Sequence, residues 1–309
     1  EFLKKKETKF DWKRTIRLNI LVLKIVGLWP PGDEIYGYTF HTPYEILNVL
    51  FLQIGIIVFQ TVNLFLNIDG LDVVTGTIFV LLMEMLAPIK SYTIIKNTGM
   101  LKQLMATINN DLFQSKNSQQ RSLIQPNLKA WKKTVATFWF FTLGWLFFLI
   151  VKASPQYELT YLHQFTSVTT MSMVNVSIDS LIAALKCTSG VNLTFCNSKN
   201  SPTDVEEKLK NCINHHREIL KFANYGNKFY NWLIFEEFFV GGISIGLSMF
   251  QLTVVVPFSS EFHSFISSST AISVHVFMYC WFGNEIKVKI LRTSWSYFAL
   301  LRQINSPKN

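Results

Sequence analysis

Six long apolar segments limit the folds open to this chain more than any other feature. They span residues 44–66, 70–89, 134–151, 159–185, 238–260 and 264–284. A helix needs about 20 mainly apolar residues to cross a bilayer, and lipid forces such segments to satisfy their backbone hydrogen bonds internally. A seventh segment, 290–304, is shorter and contains Arg292 and Arg302. The sequence therefore predicts an all-α, polytopic membrane protein with seven transmembrane helices.

The composition agrees with this reading and narrows the function. Apolar residues make up 49% of the chain and charged residues only 16%, against about a quarter in soluble domains. The net charge of +9 would suit a nucleic-acid partner, but the basic residues lie in blocks between the apolar segments. That arrangement is typical of membrane topology signals and indicates lipid rather than nucleic acid as the surrounding partner.

The distribution of Lys and Arg predicts the orientation. The N-terminal block and the second and fourth connections carry 8, 8 and 7 basic residues, whereas the first, third and fifth carry 0, 1 and 0. Basic residues collect on the cytoplasmic side, so the N-terminus is expected in the cytoplasm. In this count the second connection begins at Lys90. Two of the cytoplasmic connections, at 97–112 and 204–223, have helical apolar periodicity and are predicted to pack against each other or against a partner.

The outer halves of the second, third and fourth segments offer a candidate ligand site. Apolar side chains recur at helical spacing on the second and third segments, and the fourth is rich in hydroxyls, which lipid would penalise. The candidate pocket residues are Ile78, Phe79, Leu82, Phe141, Gly144, Trp145, Phe148, Phe165, Thr166 and Thr169. Ordinary helix packing explains these residues nearly as well. An apolar pocket without a fixed charge would favour an ester, alcohol or terpenoid over an acid or amine.

The last segment has the pattern of a pore lining. Thr293, Ser296, Leu300 and Gln303 share one helix face, so small polar residues are interrupted by a single Leu. A hydrophobic constriction of this kind can gate by dewetting, and one helix requires an oligomer to complete a pore.

No catalytic or metal-binding pattern emerges. Cys212, His215 and His216 match no zinc spacing, so neither a metal nor a cofactor is expected. The acidic residues of the spans lie on different helices, which argues against an enzyme. For Asp179 the expected role is a hydrogen bond between helices. For Glu236 and Glu237 it is snorkelling at the membrane boundary.

Several motifs resemble the insect odorant receptor family. They comprise Leu23-Lys24-Ile25-Val26-Gly27-Leu28-Trp29-Pro30-Pro31, Tyr157-Glu158-Leu159-Thr160-Tyr161-Leu162-His163-Gln164 at the start of the fourth span, Cys212-Ile213-Asn214-His215-His216-Arg217-Glu218-Ile219-Leu220, Met278-Tyr279-Cys280-Trp281-Phe282-Gly283-Asn284-Glu285, and Thr293-Ser294-Trp295-Ser296-Tyr297-Phe298. The resemblance covers nearly the whole chain in a consistent order.

The resemblance implies an odorant-binding subunit of a tetrameric, odorant-gated, non-selective cation channel with a cytoplasmic anchor region. Such a subunit pairs with the Orco co-receptor in the plasma membrane of a sensory neuron dendrite. It binds a small, volatile, apolar odorant such as an ester or terpenoid. The expected domains are a cytoplasmic segment 1–43, transmembrane spans with helical extensions at 44–289, and a pore helix at 290–309. Leu300 falls at the family's hydrophobic gate.

The chain departs from the family pattern at one point, and one alternative class of receptor is open. The family has a further helix before the pore helix, whereas here Lys289 precedes Ile290 with no turn residue, so a missing segment is expected there. The alternative is a seven-helix G-protein-coupled chemoreceptor. Receptors of that class have the opposite charge bias and an outer disulfide. They also carry an Asp-Arg-Tyr-type triplet after the third span and an Asn-Pro-x-x-Tyr-type motif in the last span, and this chain has neither motif.

Overall fold

The computed structural model describes residues 12–29, 41–66, 70–108, 118–151, 158–194 and 205–305, and all of its regular structure is helical. The helices are α1 (Trp12–Ile25), α2 (His41–Leu47), α3 (Gly55–Leu66), α4 (Leu71–Lys96), α5 (Thr98–Ile108), α6 (Ser118–Val151), α7 (Glu158–Thr194), α8 (Val205–Val254) and α9 (Ser260–Asn305). A π-helical segment, Asn48–Ile54, joins α2 to α3 in one continuous rod.

Five helical stretches within the described residues are long and apolar enough to cross a membrane. They are Pro43–Leu66, Val73–Lys96, Leu162–Ser189, Ile213–Val254 and Ser260–Trp295. Each of the six apolar segments falls mainly within a helix, as predicted. The fifth ends earlier than expected, because the chain turns between Val254 and Ser260. Many side chains of α6 lie outside the described part of the structure, so its role as a span stays a prediction.

Helix α7 forms the centre of the bundle. It packs against α1, the π-helical segment, α4, α6, α8 and α9. In its most apolar window 72% of the residues are buried, against 11% for the first span. The sequence prediction that the polar fourth span faces other helices is therefore confirmed. The first span, by contrast, exposes large apolar side chains such as Phe59 and Phe65, each 73% accessible, as a lipid-facing helix does.

The extensions of α5 and α8 pack together as predicted. The Tyr225 hydroxyl of α8 donates a 2.6 Å hydrogen bond to Gln103 Oε1 of α5. Leu101, Leu104 and Met105 bury the apolar stripe of α5 in the same core as Ile219 and Phe222 of α8. These helical ends thus continue the bundle beyond the apolar spans.

Helix α1 is stopped by a glycine. Gly27 has a φ of +87°, a conformation that side chains with a Cβ rarely adopt. Its N–H donates to the Lys24 carbonyl at 3.1 Å and the Leu28 N–H donates to the Leu23 carbonyl at 2.8 Å. This pair of bonds caps the helix, and Leu23 and Leu28 are both buried beside it. The Gly-Leu-Trp motif of the sequence therefore has a local structural cause.

The last two apolar segments belong to one helix. Helix α9 runs without interruption from Ser260 to Asn305, through Lys289 and Ile290. The sequence has no turn residue at that point, and the helix accordingly continues through it. A separate seventh helix is not formed within the described residues, and the expectation of a further segment before Ile290 stays a prediction.

Candidate functional site

A cavity of about 80 Å³ lies in the middle of the bundle, between α4, α6, α7, α8 and α9. It is bounded by side chains from all five helices. They are Phe79, Val80, Met83, Glu84, Leu86, Thr142, Val168, Met171, Ser172, Asn175, Val176, Glu237, Ser268, Ala271, Ile272 and His275. A mainly apolar wall with a few convergent polar groups is typical of a small-molecule site.

The wall of the cavity is not free of charged residues. Glu84, Glu237 and His275 lie among its apolar and hydroxyl groups. The sequence-based expectation of a pocket without a fixed charge is therefore wrong for this cavity. The reason is that ionisable residues on three different spans converge only when the helices pack.

Glu84 precedes Pro88 of α4 by four residues, about one helical turn, and is only 4% accessible. Its Oε1 accepts a 2.9 Å hydrogen bond from Gln60 Nε2 of α3. Its Oε2 is buried, and no described residue donates to it. The same holds for Oδ1 of Asn175, which reaches the cavity from α7. The cavity thus has two hydrogen-bond acceptors without donors in the described structure.

Beside the cavity lies an ionic cluster of five buried side chains, Lys90, Asp179, Glu237, His275 and Tyr279, which joins α4, α7, α8 and α9. Lys90 Nζ is 2.7 Å from Asp179 Oδ2 and 2.6 Å from Glu237 Oε2. The Tyr279 hydroxyl donates a 2.5 Å hydrogen bond to Asp179 Oδ1. Every helix that carries a member is thereby fixed to at least one other, since buried charges require such partners.

His275 completes the balance of charge in the ionic cluster. Its Nδ1 is 2.7 Å from Glu237 Oε1, and its Nε2 is 2.6 Å from Asp179 Oδ2. A nitrogen lone pair facing a carboxylate oxygen at this distance would repel it, so we expect both ring nitrogens to carry protons. Two cations then oppose two carboxylates, which removes the net charge that the apolar surroundings would penalise.

The ionic cluster is the one place among the described residues where metal ligands converge. Single ligand atoms of Asp179, Glu237 and His275 lie within 4.8 Å of one another. The Lys90 ammonium, however, contacts both carboxylates and already supplies the cation that they require. A metal ion would have to displace this ammonium or lie beside it against its charge, so the donor set does not suit a metal.

Sequence reasoning misplaced two members of the ionic cluster. Lys90 was assigned to a connection, but it lies within α4 and is fully buried. Glu237 was expected to snorkel, but it is 1% accessible and paired with Lys90 and His275. The acidic residues were also expected to stay apart, whereas Asp179 and Glu237 share one cluster. The expected interhelical bonding of Asp179 is confirmed. A charge inside an apolar span is itself the signal that such a partner exists.

The predicted pocket residues lie in several places. Phe79 is buried and lines the cavity, but Ile78, Leu82, Phe165, Thr166 and Thr169 are not among its lining residues. Gly144 faces α9, where a Cβ would come 3.3 Å from Ser267 Oγ. Thr166 is exposed and donates to the Leu162 carbonyl of its own helix at 2.7 Å. The side chains of Phe141, Trp145 and Phe148 lie outside the described structure.

The predicted pore face falls on the far end of α9. Thr293 is buried, and its hydroxyl donates to the Lys289 carbonyl at 2.8 Å. The side chains of Ser296, Leu300 and Gln303 lie outside the described structure, as does that of Cys212. Of the cysteines, Cys187 and Cys280 are described, and both are free thiols.

An all-helical membrane bundle around a small, mainly apolar cavity defines a class of small-molecule receptors, and the comparisons with known proteins narrow it. Residues 121–300 match the family model described as 7tm Odorant receptor. The chain belongs to this family and is a multi-pass membrane protein. No curated protein sequence matches it.

Two solved structures share the fold. The insect olfactory receptor OR5 from Machilis hrabei has a TM-score of 0.77 at 15% identity, over 91% of this chain and 81% of that chain. The same receptor in complex with eugenol has a TM-score of 0.69 at 13% identity, over 95% of this chain and 99% of that chain. The resemblance inferred from the motifs is thereby confirmed at the level of the family.

Proposed function

We propose that this protein is the odorant-binding subunit of a heteromeric, odorant-gated, non-selective cation channel. It assembles with the Orco co-receptor in the plasma membrane of insect sensory neurons, with its N-terminus in the cytoplasm. The observation that carries the proposal is the central cavity, whose mainly apolar wall from α4, α7 and α9 suits a small volatile molecule. The eugenol complex of the related receptor and the family match support the same conclusion.

The cavity suits a ligand that is mostly hydrocarbon. Three helices offer apolar contacts, through Phe79 of α4, Val168 and Met171 of α7, and Ile272 of α9. Transfer of an apolar odorant from water into this cavity is therefore favourable. The ester or terpenoid expected from the sequence belongs to this class of ligand.

Helix α9 connects the ligand site to the proposed pore. Ala271, Ile272 and His275 line the cavity, and Thr293 lies 18 residues after His275 on the same uninterrupted helix. A rise of about 1.5 Å per residue places them roughly 27 Å apart. Displacement of the wall by an odorant can therefore reach the predicted pore face of Thr293, Ser296, Leu300 and Gln303 through one rigid element.

Coexpression with the Orco co-receptor tests the proposal. Odorants from a panel of volatiles should evoke a cation current that persists when G proteins are blocked. Loss of the current under blockade would favour the alternative, a G-protein-coupled chemoreceptor.

A filled cavity should reduce the sensitivity to odorant without abolishing the channel. Ala271→Phe places a ring in the cavity and should raise the half-maximal odorant concentration by about 10-fold or more, a loss of about 1.4 kcal/mol. Ala136→Phe adds the same ring on the exposed face of α6 and should leave the response unchanged. Equal responses of the two variants, at equal surface expression, would place the odorant site elsewhere.

The proposed gate has its own test. Leu300→Ala removes the apolar constriction and should raise the resting conductance of the coexpressed channel, because a wider and less apolar neck dewets less readily. Single-channel or whole-cell recording without odorant measures this effect. An unchanged resting conductance and unchanged gating would argue against Leu300 as the gate.

A further inference from the structure

We infer that the cavity selects hydroxyl-bearing odorants, alcohols or phenols, and that Glu84 and Asn175 accept the hydrogen bond which such a ligand donates. The inference deepens the proposed function and rests on it, since it takes the same cavity as the odorant site. Glu84 is 4% accessible and lines the cavity, and one of its two carboxyl oxygens has no donor among the described residues.

An acceptor left in this state is costly. A buried polar group without a hydrogen bond loses about 1–3 kcal/mol relative to a bonded one, and more where the group is charged. Gln60 already donates to Oε1 of Glu84, so Oε2 is the oxygen that a ligand can serve. A ligand that restores the missing hydrogen bond must therefore carry a hydrogen-bond donor into the cavity.

A second acceptor points to the same kind of ligand. Asn175 reaches the cavity from α7, and no described residue donates to its Oδ1. In addition, Pro88 lies four residues after Glu84 in α4 and lacks an N–H, so the Glu84 carbonyl has no helical donor. Glu84 of α4 and Asn175 of α7 thus bring two side-chain acceptors without described donors to the cavity.

The remaining charged groups of the wall do not compete for the ligand. Glu237 contacts Lys90 through Oε2 and His275 through Oε1, and His275 has carboxylate oxygens on both sides. Their hydrogen-bonding capacity is directed into the ionic cluster. Glu84 and Asn175 are therefore the polar groups of the wall that the ligand itself must satisfy.

A hydroxyl is the donor that this environment favours. Esters and ethers offer only lone pairs and would oppose those of Glu84 and Asn175. A carboxylate would bury a charge with no free cation to pair with it, since Lys90 and His275 already contact Asp179 and Glu237. An ammonium would have to leave water in a cavity whose wall already contains the charged His275 beside Lys90. A neutral alcohol or phenol supplies the proton without a charge, and its hydrocarbon part meets Phe79, Met171 and Ile272.

The test compares ligands that differ only in the donor. The purified protein in lipid nanodiscs is titrated by calorimetry with geraniol and its methyl ether, and with benzyl alcohol and benzyl methyl ether. Each alcohol should bind about 10-fold more tightly than its ether, as expected when a buried acceptor that lacks a donor gains one. Equal affinities, tighter binding of the ethers, or no binding of either member would overturn the inference.

Glu84→Gln gives the sharpest variant. Its amide can keep the oxygen that accepts from Gln60 and present an N–H₂ donor to the cavity. The preference should therefore fall to parity or reverse, with the ethers gaining affinity and the alcohols losing about 10-fold. Glu218→Gln, on the surface of α8 and paired with Lys221, is the matched control and should retain the preference. An unchanged preference in Glu84→Gln would exclude Glu84 as the acceptor.

Asn175→Leu provides an independent variant if Glu84→Gln does not fold. It removes the second acceptor and should reduce alcohol affinity by about 3- to 10-fold while leaving ether affinity unchanged. Equal losses for alcohol and ether would contradict the inference. The binding assay needs no channel activity, so a protein that prefers alcohols but gives no current with the co-receptor would refute the proposed channel and leave the inference standing.

Discussion

Two neighbouring regions of the bundle handle buried polar groups in opposite ways. In the ionic cluster, Lys90, Asp179 and Glu237 have partners on other helices at 2.6–2.7 Å. In the cavity beside it, Glu84 and Asn175 each keep one buried acceptor without a donor in the described structure. The first region satisfies itself and fixes the helices. The second leaves hydrogen-bonding capacity open, which a ligand can use.

We therefore expect the ionic cluster to determine stability and the cavity to determine ligand specificity. A satisfied buried network is costly to disturb, because removal of one partner strands the others. Replacing an unsatisfied acceptor should change the unfolding free energy of the ligand-free protein only slightly. It should lower the affinity for a ligand that donates a hydrogen bond to that acceptor much more. Substitutions in the two regions should therefore separate folding from odorant selectivity.

The largest effect is expected from Lys90→Met. The substitution leaves two buried carboxylates with only His275 to balance them, which should lower the free energy of unfolding by about 3–5 kcal/mol. Thermal unfolding in detergent and surface expression measure the loss. Lys96→Met, on an accessible part of the same helix, is the control and should stay within about 0.5 kcal/mol of the original protein. Equal stability of the two variants would refute the structural role of the cluster.

A moderate effect is expected from Tyr279→Phe. The change removes the hydroxyl that donates to Asp179 Oδ1 and should cost about 1–3 kcal/mol, because the acceptor is charged and buried. Tyr92→Phe removes a hydroxyl from a side chain that is 61% accessible, so its unfolding curve should hardly move. A neutral Tyr279→Phe would mean that Asp179 is adequately served by Lys90 and His275.

The smallest effect on folding is expected from Glu84→Gln. Because the amide can still accept from Gln60, the unfolding free energy of the ligand-free protein should change by less than about 1 kcal/mol. Glu237→Gln is the contrasting variant, since it removes a charge that Lys90 and His275 both contact. Unfolding curves of the two variants without odorant provide the measurement. Similar losses in both would remove the distinction between the two regions.

Periodicity and charge blocks were sufficient for most of the helices. The apolar segments predict α4, α7 and the joined helices α2 and α3, because membrane-length runs of apolar residues have few alternatives. They place the starts of α4 and α7 within one residue but end 7 and 9 residues too early, at 89 and 185 rather than 96 and 194. The apolar stripe of α5 predicts that it packs, and its bond from Tyr225 to Gln103 follows from that packing. The last two segments were treated as separate, but α9 continues through Gly283 at the end of the sixth segment and on through Lys289 and Ile290.

The site was harder to predict because it depends on which faces of different helices meet. Phe79 was singled out from the pattern of α4, and the structure places it at the cavity. Thr166, chosen for its polarity, bonds to its own helix instead, an option that any hydroxyl has in a helix. Glu84 and Asn175 were not singled out, since an isolated polar residue in one span does not reveal its neighbours in another.

The sequence alone determined that this chain is a helical membrane protein and, through its motifs, the family to which it belongs. Both are recorded locally, in the length of apolar segments and in short runs of residues. Only the tertiary structure decided that Lys90 is buried, that Glu237 is paired rather than snorkelling, and that Glu84 faces a cavity. The physical reason is that the state of a charge in a bundle depends on partners 89 or 147 residues away, which helix packing brings within hydrogen-bonding distance.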